Sequence, residues 1–161
     1  MPNLYKTVYA QKKVQDFGNS LYLISLPLPT SLHCNYYKHQ NSYLKMKIQT
    51  NAMQLDTLVS KGEMIRAANQ FFAEDIQTRD FGNIVTTGKR QTIEKITGFV
   101  EAIANVNRIQ YHQTLIDGST TNSEFTLDFT LKDGSTILWH EIIQRKWNDE
   151  GLVIHEQYFK T

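Results

Sequence analysis

Three short runs near the C-terminus, 126–128, 139–145 and 156–158, alternate residue character with a period of two, the spacing that puts every second side chain on one face of a β-strand. With Asp133-Gly134 as a two-residue hairpin loop and Asn148-Asp149-Glu150-Gly151 as a four-residue one, Asp128 stands opposite Trp139 and Arg145 opposite Ile154. One face then carries Thr126, Asp128, Trp139, Glu141, Ile143, Arg145, Ile154, Glu156 and Tyr158. Several carboxyl groups beside one guanidinium cannot all stay ionised cheaply, so displaced pKa values are expected. Two uses fit such a set: proton transfer, with Tyr158 or a protonated Glu141 as donor, or a structural network in which Arg145 satisfies Glu141 or Glu156. Asp80 is a further carboxylate, sharing a face with Ile76 and Thr78 on a short upstream strand.

Other chemistries find little support. His112, His140 and His155 lack the close, converging spacing of a zinc site, and no metal is expected. His112 is grouped with the acidic set, while His140 and His155 fall on the opposite face. There is no phosphate loop, dinucleotide fingerprint, serine elbow or Cys–His pair, so no cofactor is expected.

The elements that must position these residues follow from periodicity. Helical spacing begins at Ala52, with Leu55, Leu58 and Val59 as one stripe and Gly62 as the stop. Ile65, Ala68 and Phe72 resume it, a strand spans Ile76 to Phe81, and Gly88 opens a helix whose core side is Ile93, Ile96, Val100 and Ile103. Four strands follow, at 108–116, 123–131, 136–147 and 152–160, and helices followed by an antiparallel meander make an α+β layout. The second sheet face carries Phe125, Leu127, Phe129, Leu138, His140, Ile142, His155 and Phe159. An ordinary sheet would bury that greasier face and expose the carboxylates.

The chain has 161 residues, 40% of them hydrophobic, enough for one domain with a core. No run approaches the ~20 apolar residues of a membrane span. The single cysteine, Cys34, builds no disulfide framework, so a reducing, cytoplasmic setting is expected. In the first fifty residues six lysines stand against one acid, Asp16, whereas in the rest eleven bases meet fifteen acids. A basic arm on an acidic body argues against nucleic-acid binding by the body. Residues 1–45 hold all three prolines and show poor periodicity, so the domain is expected to be 46–161. The extension reads, in order of preference, as sequence upstream of a natural start at Met46, a partner-binding arm, or an export signal around Leu21–Leu28.

The stretch Phe71-Phe72-Ala73-Glu74-Asp75-Ile76-Gln77-Thr78-Arg79-Asp80-Phe81-Gly82, then Gly88-Lys89-Arg90 and a helix, resembles the SnoaL-like and ketosteroid-isomerase branch of the nuclear-transport-factor-two-like superfamily. So does the ending Asp133-Gly134, Trp147-Asn148-Asp149-Glu150-Gly151, Glu156 and Tyr158, so that the likeness runs from about Gln54 to the C-terminus. It implies a cone-shaped α+β barrel, N-terminal helices covering a strongly curved antiparallel sheet (a cystatin-like roll), with the polar face lining a small-molecule cavity. It further implies a homodimer through the convex residues Phe125, Leu127, Phe129, Leu138, Ile142 and Phe159. Asp80 takes the position of the steroid isomerases' general base, which makes it the expected catalytic base of a proton transfer here, but the proline after it is absent. Their two oxyanion donors fall near Leu55 and at Ile143, which cannot donate, so a steroid isomerase of that design is rejected. The expected function is binding of a small, partly apolar metabolite. Turnover by isomerase-, cyclase- or hydratase-type proton transfer stands beside a non-catalytic binding, accessory or protein-interaction role, since fold cannot choose between them.

Overall fold

Gly62 ends the first helix, α1 (Thr30–Ser60), in a left-handed cap at φ 77°, a conformation a residue without Cβ adopts at no steric cost. Its N–H bonds Val59 O at 2.9 Å, and Glu63 N–H bonds Leu58 O at 2.9 Å. The computed structural model describes residues 30–160, with side chains from residue 42 onward. Gln40–Thr161 form one compact unit. The expectations for residues 1–29 lie outside the described residues. Helix α2 (Met64–Phe71) buries Ala67, Ala68 and Phe71, and then the chain turns directly into β1 (Phe72–Arg79), earlier than the expected Ile76. A short β2 (Val85–Thr87) precedes α3 (Lys89–Ala102), and the meander is β3 (Ile103–Asp117), β4 (Thr120–Leu131), β5 (Thr136–Trp147) and β6 (Val153–Lys160).

The six strands make one mixed, open sheet in the order β2-β1-β6-β5-β4-β3. Only β1 and β6 run parallel, and the other pairs are antiparallel. Ile48, Ala52, Leu55 and Val59 of α1 pack with Phe125, Leu127, Phe129, Ile143, Trp147 and Val153 of the sheet as one core. On α3 the sheet-facing residues are Ile93, Ile96 and Phe99, not Val100. Among the described residues no helix is long and apolar enough to cross a membrane.

The β4–β5 register corrects the expected faces. Leu131 N–H bonds Ser135 O at 2.8 Å and Gly134 N–H bonds Leu131 O at 3.0 Å, with Gly134 at φ 86°. The loop is therefore three residues, Lys132-Asp133-Gly134, with glycine at its left-handed position, rather than two. Asp128 faces Leu138, and Leu127 faces Trp139. A one-residue slip turns every side chain of a strand to the other face. Phe125 and Phe129 are thus fully buried and Leu127 is 4% exposed, beneath the helices, so they are no part of a convex dimer surface. The β5–β6 ladder is offset by two residues from expectation, Arg145 facing Glu156 and Ile143 facing Tyr158. An even offset changes partners but keeps faces, so Glu141, Ile143, Arg145, Glu156 and Tyr158 still share one.

Phe129→Ala is expected to cost about 3–5 kcal/mol in urea unfolding, and Leu138→Ala, at a position 67% exposed, about 0.5 kcal/mol or less. The reverse ranking would restore the two-residue loop. Helix α1 passes through Met46 without a break, and Leu44 packs against the core. We propose residues 46–161 as the minimal folding unit, because among the described residues the fully buried α1 side chains, from Ile48 on, lie within it. A chain starting at Met46 should unfold cooperatively, with a slightly lower Tm from the loss of Leu44. Insoluble expression beside a soluble full chain would refute the boundary.

Candidate functional site

Helices and the inner sheet face enclose a cavity of about 320 Å³. Its apolar wall comes from all three helices, through Leu55 and Val59, Met64, Ala67 and Ala68, and Ile96 and Phe99, together with Phe72, Leu127 and Ile143. The polar groups reach it from the turn after β1 and from α3, β5 and β6: Asp80, Lys95, Glu141, Arg145, Glu156 and Tyr158, with Trp139 and Phe81 between them.

Arg145, 1% exposed, organises the polar end. Its Nε donates to Glu156 Oε2 at 2.6 Å, and one terminal nitrogen donates to Asp56 Oδ1 at 2.9 Å and Ser123 Oγ at 3.1 Å. Asp56 Oδ2 accepts from Ser123 Oγ at 2.8 Å and from Thr114 Oγ1 at 2.6 Å, so α1, β3, β4, β5 and β6 meet in one buried network. Burial alone would lower the Arg145 pKa, but the Glu156 and Asp56 carboxylates more than offset this and hold it up. Tyr158 donates a short hydrogen bond to Glu156 Oε1. Burial, then the Glu156 charge and that bond, keep the phenol protonated well above its ordinary range.

Glu141 is different. It is 2% exposed, lines the cavity and has no hydrogen bond or ion pair among the described residues. Burial, and then the Glu156 carboxylate, push its pKa up to about 7, with Arg145 and Lys160 pulling the other way. Arg145 is already shared between Asp56 and Glu156, so it makes no ion pair with Glu141.

Asp80 sits at the more exposed end of the cavity, with both oxygens held by Lys95 Nζ at 2.8 and 2.9 Å. Lys95 also donates to the buried Thr78 Oγ1 at 2.9 Å, which ties α3 to β1. Phe81 packs edge-on to Trp139 with ring centroids 5.5 Å apart, and Phe99 stacks on Trp139 at 5.9 Å.

Of the residues singled out from the sequence, Asp80, Trp139, Glu141, Ile143, Arg145, Glu156 and Tyr158 line the cavity. Asp128 and His112 do not, and both are corrected. Asp128 accepts from Asn107 Nδ2 at 2.8 Å on the outer face, where the three-residue loop puts it. His112, exposed on β3, bonds Thr126 Oγ1 at 2.9 Å and lies against His140 with ring centroids 5.4 Å apart. Sequence reasoning missed Asp56, Lys95, Phe81 and Phe99. An acid at Asp56, four residues after Ala52 and eight after Ile48, stands on the buried stripe of α1 and was the available signal. Among the described residues no cluster could hold a metal ion.

Arg145→Met should cost about 3–5 kcal/mol in urea unfolding, because Asp56 and Glu156 are left buried and uncompensated. Arg66→Met, which breaks only an exposed pair with Glu63, should stay within about 0.5 kcal/mol. Glu141 gives a pH signature. Below 4.5 folded and unfolded chains both hold its proton. Between 4.5 and about 7 only the folded chain does, so stability falls as pH rises, and above about 7 the loss is complete. The gap amounts to about 3 kcal/mol. Glu141→Gln should therefore raise stability by about that much at alkaline pH and leave it unchanged in acid, read by unfolding across pH. A pH-independent gain would refute the assignment.

The sequence matches no family model, and no curated protein matches it. Solved structures do. A Mesorhizobium loti protein named as a SnoaL-like polyketide cyclase aligns with TM-score 0.62 at 20% identity, over 70% of this chain and 97% of its own. A Burkholderia pseudomallei nuclear-transport-factor-two-like protein of unknown function aligns with TM-score 0.61 at 11% identity, over 71% and 91%. A Catenulispora acidiphila protein with a ketosteroid-isomerase-like fold, solved in complex with trimethylamine, aligns with TM-score 0.52 at 15% identity, over 59% and 73%. The domain has the nuclear-transport-factor-two-like α+β cone fold that SnoaL-like and ketosteroid-isomerase-like proteins share.

Proposed function

We propose that this domain binds a small, partly apolar metabolite in its cone cavity and moves a proton on it without a cofactor, in an isomerase-, cyclase- or hydratase-type step. The observation that carries the reading is Glu141: a buried carboxyl facing the cavity, without a hydrogen-bond partner among the described residues, and with a pKa of about 7. A general acid–base works best when its pKa lies near the working pH, and burial is how a carboxyl gets there. Protonated, Glu141 can donate to a ligand oxygen; ionised, it can take a proton from a carbon beside a carbonyl. A cavity of about 320 Å³ suits a ring-sized body, and its apolar helices exclude water from the transfer. Asp80 is the second carboxylate of the site, but accepting a proton would cost it the ion pair with Lys95. That pair favours the other reading, a non-catalytic binding domain whose polar groups only orient the ligand.

Deuterium uptake from heavy water separates the two. A panel of cyclic unsaturated ketones incubated with the protein should gain deuterium beside the carbonyl, and Glu141→Gln should slow this by roughly 10²-fold or more. Asp80→Asn should slow it less. Binding of panel members without exchange would leave the non-catalytic reading. Exchange untouched by Glu141→Gln would refute the assigned residue. Self-association is a separate proposal and now rests on Leu138, Ile142 and Phe159, which remain on the outer face. A sedimentation mass of one chain at micromolar concentration would remove it.

A further inference from the structure

Lys160, at the end of β6, places its ammonium over two rings of the cavity. Its Nζ lies 4.9 Å from the Trp139 centroid and 5.2 Å from that of Phe81. In the β5–β6 ladder it stands opposite Glu141, and like Glu141 it has no hydrogen bond or ion pair among the described residues. The negative faces of two aromatic rings set edge to face, with a carboxyl beside them, are the recognition chemistry of an organic cation. The chain's own lysine occupies that position.

Charge decides the sign of the ligand. Among the described residues the groups facing Glu141 are Arg145 on its own strand, Glu156, Tyr158 and Lys160 on β6, Asp80 just after β1, Lys95 on α3 and, through Arg145, Asp56 on α1. Helix α2 and strand β4 face the cavity with apolar side chains only. Lys95 is taken up by Asp80, and Arg145 is divided between Asp56 and Glu156. Among the described residues Lys160 is therefore the one cation left facing Glu141, held by π-faces worth about 0.5–1 kcal/mol at an exposed site. An anionic ligand would meet Glu141 and Glu156 with, among the described residues, no uncommitted partner except Lys160. A cationic ligand gives Glu141 a counter-ion and releases Lys160 to water, where an ammonium on a flexible stem is well solvated.

We propose that the Phe81–Trp139 corner beside Glu141 is a binding seat for a tertiary or quaternary ammonium group with an apolar body, and that Lys160 fills the seat until such a ligand displaces it. The assignment rests on the small-molecule reading of the cavity and gives that ligand its charge.

The test uses the full chain and two probes of one shape, benzyltrimethylammonium and its uncharged isostere neopentylbenzene, followed by nuclear magnetic resonance at the Trp139 indole N–H. The ammonium probe should bind at least about tenfold more tightly than the hydrocarbon. Because its charge is permanent, any pH dependence belongs to the protein, and affinity should rise roughly tenfold from about pH 5 to about pH 8 as Glu141 ionises. Glu141→Gln should abolish that rise, and Lys160→Ala should tighten binding several-fold by removing the competing cation. Equal binding of the two probes, tighter binding of phenylacetate, or weaker ammonium binding by Lys160→Ala would each overturn the cation seat while leaving the cavity reading intact. Failure of every probe to perturb the signals of Trp139, Leu127 and Ile143 would overturn both.

Discussion

The buried guanidinium of Arg145 is the interaction on which the rest of the site depends. Taking three charged groups out of water is costly, and such a group is retained only when its donors and acceptors are met. Here they are met from five elements: Asp56 on α1, Thr114 on β3, Ser123 on β4, Arg145 itself on β5 and Glu156 on β6. An apolar core tolerates small slips between a helix and a sheet, whereas a set of hydrogen bonds between 2.6 and 3.1 Å does not. The network therefore fixes the register of α1 over the sheet, and with it the shape of the cavity that Leu55 and Val59 help to wall.

The same network sets the chemistry of its neighbour. One positive charge balances one of its two carboxylates, so the cluster carries a net negative charge before Glu141 is considered. Adding a third carboxylate to a dry, already anionic corner is what raises the Glu141 pKa, and Tyr158, donating to Glu156, is kept protonated by burial first and then by the same field. Structural and functional readings of the acidic set are thus not rivals. Glu156 and Asp56 serve the structure, and by serving it they leave Glu141 protonatable near neutrality.

How much of this the sequence disclosed depends on parity. The α+β layout, the glycine stop at Gly62 and the four C-terminal strands were legible, because each rests on a local periodicity or a local turn residue. The relative register of strands was not, because it depends on loop lengths that differ by one residue. Asp133-Gly134 reads equally as a two-residue hairpin or as the end of a three-residue loop with glycine in the left-handed position, and the difference turned β4 over. The offset after the last loop was even, one residue from the loop and one from the irregularity between Lys146 and Trp147, and it left Glu141, Arg145, Glu156 and Tyr158 together. Lys95 was hidden for another reason: it is a charged residue on a helix whose partner, Asp80, follows another element, and no local pattern announces such a pair, whereas Asp56 stood on the buried stripe of α1. The notion of one polar and one greasy sheet face also failed, since the inner face is greasy on β4 and polar on β5 and β6.

That division of the inner face bears on what the cavity can do. Phe125, Leu127 and Phe129 on β4 pack under the helices and make the dry side, while β5 and β6 bring ionisable groups to the other. A carboxyl surrounded only by water would keep its ordinary pKa, and one surrounded only by hydrocarbon would stay neutral at every physiological pH. Glu141 is held between these limits because burial and the Glu156 carboxylate push its pKa up while Arg145 and Lys160 pull it down. Either side alone would fix its charge; together they leave it responsive to whatever occupies the cavity. A ligand's own charge would then decide whether Glu141 keeps its proton, so that binding and protonation at this site form a single equilibrium.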